Sequence, residues 1–323
     1  MHRILLFPLS GYINRLQAIA SAAIMAQQIG AELSICWEPD EVIPVGADAV
    51  FSVDFCQRYV VTGTAANEIF GCTRDLVPKY LNHDAAGNRI FLAGNDLGEQ
   101  HFMPELSQLL DGPGSPKTLV ISAGGKFFLA PADQGEATWQ GEFRELRQSF
   151  YRETAFTSEI ESAVQAELAP RSAFLGLHLR YTDRSHQTPL DGAIRQALQD
   201  LSARSGITDL FIAGDSAAAR QRWTDQARDL GLKPWSVEHL VWDRASGGSQ
   251  QAALVDWRLL THAKAMVYFL ESSFAVEAAV AGGTFEKSIA LAKSPTRSAY
   301  VRGQRYLQAA VTYPKRHGWF SSR

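Results

Sequence analysis

The sequence predicts an α/β fold made of two Rossmann-like, doubly wound domains. Two observations predict it: short continuous apolar runs alternate with segments of helical periodicity, and the alternation occurs in both halves of the 323-residue chain. Continuous apolar runs are typical of parallel strands that are buried on both faces. Strands that alternate with helices indicate a parallel sheet covered on both sides. At roughly 100–200 residues per domain, the length is sufficient for two domains.

The first half of the chain begins with a strand, a loop and a helix. Residues 4–7 are a continuous apolar run, followed by a loop that contains Gly11. Residues 14–29 place apolar side chains at helical spacing, and Gly30 is a typical helix terminator. The next strand is predicted at residues 31–37, which completes a β-α-β unit.

Residues 38 to 115 are harder to interpret because short apolar pieces alternate there with polar turns. The apolar pieces are 59–61 and 89–92, the next buried strand is predicted at 119–122, and residues 140–168 are predicted to be mainly helical with a break near 154–158. Pro170 ends this helical segment because the residue before a proline avoids the helical conformation.

The second half of the chain repeats the alternation more clearly. Each apolar run is followed by a segment of helical periodicity, and glycines close several of these helices. Strands are predicted at 173–179, 209–213, 266–270 and 288–291, and helices at 191–204, 217–230, 249–265 and 275–281. The predicted domains are therefore residues 1–160 and residues 161–323.

The composition excludes several classes of protein. Apolar residues make up 46% and charged residues 20% of the chain, which is typical of a globular protein and not of a disordered one. The net charge of −3 predicts no strong attraction to nucleic acid. No apolar segment reaches the roughly 18–20 residues of a membrane span, and the first apolar run is too short for a signal peptide. We therefore expect a cytoplasmic protein without a membrane span.

The cysteines and histidines predict neither a disulfide framework nor a metal site. The three cysteines, Cys36, Cys56 and Cys72, form no Cys-x-x-Cys pair. The histidines show no spacing typical of metal ligands. A sparse, odd set of cysteines fits a reducing compartment.

Three polar clusters directly follow predicted strands of the second half. They are HLRYTD at 178–183, GDS at 214–216 and ESS at 271–273. Ligands in doubly wound sheets bind at the carboxyl ends of the strands, so we expect these clusters to face one crevice. The loop at 8–15 is expected to face the same crevice from the first domain. The sequence therefore predicts a binding site in a cleft between two domains.

Four segments resemble motifs of the fucosyltransferase superfamily, which includes α-1,6-, α-1,2- and protein O-fucosyltransferases. GLHLRYTD at 176–183 resembles the His-x-Arg-Arg-x-Asp motif, and LSGYINRLQAIASA at 9–22 resembles the glycine-rich N-terminal motif. LFIAGDS at 210–216 and VDWRLLTHAKAMVYFLESSFAVEAA at 255–279 resemble the second and third motifs. The four segments fall in the family's order. The resemblance implies the GT-B fold, in which two Rossmann-like domains face a central cleft.

The resemblance also implies GDP-fucose as the donor substrate, with no metal or other cofactor, and a glycan or a protein as the acceptor. By this resemblance His178 contacts the ribose or guanine, Arg180 holds the diphosphate, and Asp256 accepts hydrogen bonds from guanine. The other residues implied to contact the donor are Gly11, Asn14, Arg15, Asp215, Ser272, Ser273 and Phe274. A guanidinium fork suits a diphosphate, and glycine lets backbone N–H groups approach phosphate.

Three residues are candidates for roles in catalysis. Arg180 would stabilise the departing GDP. One carboxylate would take the proton of the acceptor hydroxyl, and both Asp183 and Glu271 are candidates for this step.

The chain departs from the family pattern at several positions. Tyr181 stands where the motif has its second Arg, and Ile13 stands where a Gly is usual. Arg184 and Thr188 stand about where the α-1,6 enzymes carry a Lys and a Glu that serve the acceptor. The residues at positions 184 and 188 argue against an α-1,6 acceptor, and those at positions 13 and 181 leave open whether the protein is catalytically active.

Several of the candidate site residues also have a purely structural alternative. His178 could be a core histidine, Arg180 could pair with Asp183, and Asp256 could be an ordinary carboxylate on a helix surface. Helix capping is the alternative for Asn14, Asp215, Ser272 and Ser273.

The leading hypothesis is an inverting, metal-independent transfer of fucose from GDP-fucose to a sugar or protein hydroxyl. The departures at Ile13 and Tyr181 keep open a non-catalytic protein that binds GDP or a GDP-sugar. A different nucleotide-sugar enzyme, such as an epimerase, is the other alternative, because a fold does not determine a reaction.

Overall fold

The computed structural model of the chain describes residues 1–74, 82–83, 88–93, 110, 117–127, 136–181, 191–237 and 247–293. The chain divides into two compact units. One comprises Met1–Ala166 with Asp243–Val255, and the other comprises Glu167–Trp242 with Asp256–Arg323. Each unit has its own sheet.

The sheet of the first unit is mainly parallel. Its described strands are β1 (His2–Pro8), β2 (Ala31–Cys36), β3 (Val60–Val61), β4 (Asn82–His83), β5 (Arg89–Ala93) and β6 (Thr118–Ala123). They lie in the order β3-β2-β1-β6-β5-β4. Every described neighbouring pair is parallel except β4 and β5, which run antiparallel. The described helices up to residue 168 are α1 (Tyr12–Ile29), α2 (Val53–Tyr59), α3 (Gly63–Phe70), α4 (Glu136–Glu153) and α5 (Ser158–Leu168).

Helices cover the apolar strands of the first sheet. Leu5 and Phe7 of β1 share a buried cluster with Ala66 and Phe70 of α3. Helix α1 is buried along most of its length, and small and apolar residues occupy most of its positions. The helix ends where predicted, at a glycine with φ of +62°, since this left-handed conformation is accessible to glycine at little cost.

The sheet of the second unit is parallel throughout its described strands. These are β7 (Leu175–Leu179), β8 (Asp209–Gly214), β9 (Lys233–Trp235), β10 (Met266–Phe269) and β11 (Ile289–Leu291), in the order β11-β10-β7-β8-β9. The helices that follow are α6 (Asp191–Ser205), α7 (Ala217–Asp229), α8 (Gly247–His262) and α9 (Ser273–Ala281).

Both faces of the second sheet are covered by helices. Leu177 and Leu179 of β7 pack with buried residues of α6 and α7, such as Leu198 and Trp223. On the opposite face, α8 approaches so closely that a Cβ atom on Gly176 would lie 3.1 Å from the Leu260 Cδ2 atom. With both faces covered, the strand ends remain as the place where ligands bind in such sheets.

Outside residues 38–115 the described elements agree closely with those predicted, including the break between α4 and α5 near residues 154–158. Helices α2 and α3 and strand β4 lie within residues 38–115 and were not predicted. The sequence did not predict β9, because this strand has three residues and contains a proline. Its position at the edge of the sheet explains why a proline, which cannot donate a ladder hydrogen bond, is tolerated there.

Candidate functional site

In the second sheet the strand order reverses between β7 and β10. From β7 the chain adds β8 and β9 on one side, and β10 and β11 follow on the other. Such a reversal leaves a crevice at the carboxyl ends of the strands, where ligands bind in open α/β sheets. The three polar clusters predicted from the sequence follow β7, β8 and β10, and these strands are neighbours. As far as it is described, each cluster therefore lies at one edge of the sheet, as the sequence predicts.

His178 lies at the end of β7 and is buried. Its imidazole stacks on the Phe274 ring, with 5.0 Å between the ring centroids and 25° between the planes. Burial lowers its pKa to about 4, although the charge of Asp215 acts in the opposite direction. The Nδ1 atom is buried and has no hydrogen-bond partner among the described residues. A neutral imidazole with a free nitrogen is therefore presented at this edge.

Ser272 occupies the N-cap position of α9. Its side chain is 1% exposed, and within the described chain its hydroxyl neither caps the helix nor finds another hydrogen-bond partner. The structural alternative, in which the Ser272 hydroxyl caps the helix, is therefore wrong. The helix begins at Ser273, so the positive end of the helix dipole and a free buried hydroxyl meet at one point. This combination suits an anion such as phosphate.

Asp256 lies in α8 and is 2% exposed, which contradicts the alternative of an ordinary carboxylate on the helix surface. Burial raises its pKa to about 8; the charge of Arg220 lowers it and that of Glu167 raises it. The Oδ1 atom of Asp256 is buried without a hydrogen-bond partner in the described part of the chain.

Asp215 and Ser216 have different roles although they are adjacent. The Ser216 hydroxyl accepts a hydrogen bond from the Ala219 backbone N–H and caps α7. Asp215 Oδ1 accepts a hydrogen bond of 2.8 Å from the Tyr181 backbone N–H. The capping alternative considered for Asp215 therefore applies to its neighbour, and Asp215 ties the end of β7 to the end of β8.

The residues predicted to act in catalysis are only partly described. Arg180 directly follows β7 and is half-buried, and its charge contributes to the lowered pKa of His178. Glu271 follows β10 and is also half-buried. Asp183 lies outside the described residues, and so does its alternative ion pair with Arg180.

In the first unit, the sheet reverses its strand order between β1 and β6. Gly11 is the N-cap of α1, and no described atom would lie within 4 Å of a Cβ atom added to it. Asn14 lies in the first turn of the helix, so the N-cap position considered for it belongs to Gly11. Ser10, before the cap, has a left-handed φ of 67°, which is uncommon outside glycine.

Arg15 is fully buried, and its guanidinium is held by protein atoms. It donates 3.0 Å hydrogen bonds to the carbonyl oxygens of Ser10 and Glu38, and its Nη2 atom lies 2.8 Å from Asp40 Oδ2. The guanidinium also lies over the Trp37 ring, 4.6 Å from its centroid. These contacts hold the loop after β1, and the contact of Arg15 with a diphosphate stays a prediction.

Some residues near these edges were not found from the sequence. Arg220 is one, since nothing in the pattern of α7 distinguishes it from a solvent-facing arginine. The Tyr12 hydroxyl is another: it is buried without a hydrogen-bond partner among the described residues, and burial raises its pKa to about 12. Gly124 and Gly125 follow β6 at the reversal point of the first sheet, and two glycines after a buried strand were a signal that could have been used.

Within the described ranges, no group of three or more His, Cys, Asp or Glu side chains is arranged to hold a metal ion. None of the described helices is long and apolar enough to cross a membrane.

The comparisons with known proteins find similarity in structure and not in sequence. No protein-family model matches the chain, and no curated protein matches it in sequence at a significant level. A point mutant of Arabidopsis thaliana FUT1 in complex with GDP superimposes with a TM-score of 0.62 at 13% identity, covering 88% of this chain and 69% of that one. POFUT1 in complex with GDP-fucose gives a TM-score of 0.52 at 13% identity, covering 89% and 95%. Fucosyltransferase NodZ from Bradyrhizobium gives 0.53 at 18% identity, covering 86% and 92%.

At sequence identities of 13–18%, these superpositions show similarity of fold. The matches extend over most of this chain. The GT-B fold that the resemblance implied is thus confirmed for this chain.

Proposed function

We propose that this protein is a glycosyltransferase that transfers fucose from GDP-fucose to a hydroxyl group of a glycan or a protein. The observation that carries the proposal is a set of three buried polar atoms in the second unit that have no hydrogen-bond partner among the described residues: His178 Nδ1, Asp256 Oδ1 and Ser272 Oγ. Leaving such an atom unpaired costs about 1–3 kcal/mol. A ligand that pairs with these atoms recovers this free energy.

A guanine nucleotide fits the chemistry of these atoms. The Asp256 carboxylate can accept from the N1–H and N2–H donors of guanine, which adenine lacks in this arrangement. The Ser272 hydroxyl and the first backbone N–H groups of α9 can donate to a phosphate. The half-buried Arg180 supplies a guanidinium fork for the diphosphate.

The proposed reaction is a single displacement at the anomeric carbon. The acceptor oxygen forms a bond to this carbon while the bond to the diphosphate oxygen breaks, and the electron pair of that bond leaves with GDP. Arg180 and the N-terminus of α9 stabilise the negative charge that develops on the diphosphate. The proton of the acceptor hydroxyl passes to a carboxylate, for which Glu271 and Asp183 are the candidates. By resemblance, the reaction inverts the configuration and uses no metal.

The similar structures support the choice of donor. POFUT1 was solved with GDP and with GDP-fucose, and NodZ, named an α-1,6-fucosyltransferase, was soaked with GDP-fucose. These proteins share their fold with this chain at 12–18% sequence identity, so the identity of the donor substrate needs a direct test.

A thermal-shift screen with GDP, UDP, ADP and NAD tests the nucleotide. A ligand that binds only the folded protein raises the melting temperature by mass action. We expect GDP to raise it more than the other three. A shift specific to UDP or NAD would contradict the proposal and favour another nucleotide-sugar enzyme, such as an epimerase.

Replacing Arg180 tests the transfer step. In a mixture of glycan and peptide acceptors, we expect Arg180→Ala to release GDP from GDP-fucose about 10²–10³-fold more slowly than the wild type, as for the loss of other electrostatic donors. Arg204→Ala, an exposed arginine of α6, is the matched control. Near-normal release by Arg180→Ala would refute the assignment. GDP binding by the wild type without GDP release in any acceptor mixture would instead favour the non-catalytic binding protein.

A further inference from the structure

Tyr181, the second residue after β7, is held by contacts from several elements. Its backbone N–H donates to Asp215 Oδ1 at 2.8 Å. Its hydroxyl accepts hydrogen bonds from Arg222 Nη2 at 2.7 Å and from Trp223 Nε1 at 3.1 Å. Its ring packs edge-on against Phe269, with 6.2 Å between the centroids. These contacts join the end of β7 to β8, α7 and β10.

The hydroxyl of Tyr181 acts as an acceptor for two donors, and one of them is deeply buried. Trp223 is fully buried in the hydrophobic core of the second unit, so its indole N–H needs an acceptor inside the protein. An arginine at position 181 has no acceptor atom and would place a second positive charge beside Arg222. A tyrosine therefore suits position 181 because its hydroxyl accepts the hydrogen bonds of Arg222 and Trp223.

The side chain of the neighbouring residue, Arg180, points to the face of the extended segment opposite to that of Tyr181. Side chains of an extended segment alternate between faces. Leu179 belongs to the core cluster, and Tyr181 packs against the same cluster. Arg180 is thus directed to the face of His178, whose pKa its charge helps to lower. Whatever fixes the backbone at Tyr181 also fixes the direction of the Arg180 side chain.

We infer that Tyr181 is a positioning residue that holds the end of β7 so that Arg180 is presented to the diphosphate of the donor. This inference rests on the proposed function, because it requires a nucleotide diphosphate at Arg180. Tyr181 itself does not touch the ligand in this account. It acts through the backbone it shares with Arg180.

Affinities for GDP and guanosine, measured by calorimetry, test this role. Guanosine has no diphosphate, so a residue that acts through Arg180 alters the affinity for GDP and leaves that for guanosine unchanged. Tyr181→Phe keeps the ring and removes the acceptor. We expect it to weaken GDP binding about 3–10-fold, the size of a lost hydrogen bond, with guanosine binding unchanged.

A double-mutant cycle with Arg180→Ala separates positioning from general loosening of the unit. If Tyr181 acts through Arg180, Tyr181→Phe has no further effect on GDP affinity once Arg180 is alanine. The control is Ile194→Val, which removes one methyl group from the same core cluster and is expected to leave the ratio of GDP to guanosine affinity unchanged.

Two results would overturn the inference while leaving the proposed function intact. They are equal losses for GDP and guanosine in Tyr181→Phe, and additive effects in the cycle. A wild-type protein that binds neither ligand would overturn both. If Tyr181→Phe does not fold, Arg222→Ala takes its place, because it removes one donor to the hydroxyl from a side chain that is 47% exposed. Arg222→Ala is expected to lower the ratio of GDP affinity to guanosine affinity, as Tyr181→Phe does. An unchanged ratio would refute the positioning role of Tyr181.

Discussion

Asp256 is the residue whose chemistry depends most on its surroundings. Its carboxyl group is buried in α8, and burial raises its pKa to about 8, well above the ordinary value of 3.8. Near pH 7 the group is therefore mostly protonated when no ligand is bound. In the proposed function, the N–H donors of guanine bind the carboxylate in preference to the carboxylic acid. Binding of the base would then be coupled to loss of a proton.

This coupling predicts how the affinity for GDP depends on pH. Below a pKa of about 8, each unit of decrease in pH costs up to about tenfold in affinity, because the proton must first be removed. We expect the dissociation constant, measured by calorimetry, to fall as the pH rises from 6 to 8. His178, with its pKa lowered to about 4, stays neutral over this range.

Asp256→Asn is the control for this prediction, because asparagine keeps the shape of the side chain and does not titrate. Ionisation of the GDP phosphate affects both proteins equally, so the difference between them isolates Asp256. A wild-type pH profile identical to that of Asp256→Asn would contradict the role of Asp256 in binding the base.

At the scale of secondary-structure elements, close contacts at glycines fix how the helices of the second unit pack. A Cβ atom on Gly176 would lie 3.0 Å from Met266 Cγ in β10. A Cβ atom on Gly282, at the end of α9, would collide with the Thr261 carbonyl oxygen near the end of α8. The second contact is with backbone, which cannot move aside as a side chain does.

Gly282→Ala is therefore expected to destabilise the protein. We predict a decrease of about 1–3 kcal/mol in the free energy of unfolding, the usual cost of overpacking, measured by urea denaturation. Gly192→Ala is the matched control, because a Cβ atom there meets no described atom within 4 Å and the residue lies in α6. Alanine is favoured over glycine in helices by up to about 1 kcal/mol, so Gly192→Ala should be neutral or stabilising. Equal effects of the two substitutions would show that the contact at Thr261 does not matter.

The elements also show where local sequence rules succeed. The serine before α7 and the threonine before α3 each cap their helix through the side-chain oxygen, as their residue types predict. Ser272 has the same residue type and the same position before α9, yet its hydroxyl makes no such bond in the described chain. Residue type thus predicts that a helix starts directly after Ser272, whereas the partner of the hydroxyl depends on the residues that surround it.

At the scale of the whole molecule, the charges at the edge of the second sheet bear on the metal requirement. In the proposed function, Arg180 and the N-terminus of α9 supply the positive charge that a diphosphate needs. We therefore expect the affinity for GDP to be the same in excess EDTA and in excess Mg²⁺ or Mn²⁺, measured by calorimetry on the intact protein. Binding that is lost in EDTA and restored by Mn²⁺ would contradict this expectation and indicate a metal-bridged diphosphate.

The fold class could be predicted from the amino-acid sequence alone, and so could the order of the elements outside residues 38–115, apart from β9. Continuous apolar runs, such as residues 4–7 and the segment AFLGLHL before Arg180, identify strands because burial on both faces requires apolar side chains at successive positions. Glycines such as Gly30 mark helix ends for a local conformational reason. The rule that ligands bind at strand ends then selected the clusters containing His178 and Ser272.

Which of these polar residues have partners became clear only from the three-dimensional arrangement of the chain. Arg15 and Arg180 look alike in the sequence, since each follows a strand closely. In the structure Arg15 is enclosed by Asp40 and two carbonyl oxygens, whereas Arg180 is half-buried at the strand edge. Likewise, Tyr181 stands where the family motif has an arginine, and only the structure shows that Arg222 and Trp223 donate hydrogen bonds to its hydroxyl. The physical reason is that hydrogen bonding and burial depend on groups distant in the chain, while strand and helix patterns depend on neighbours.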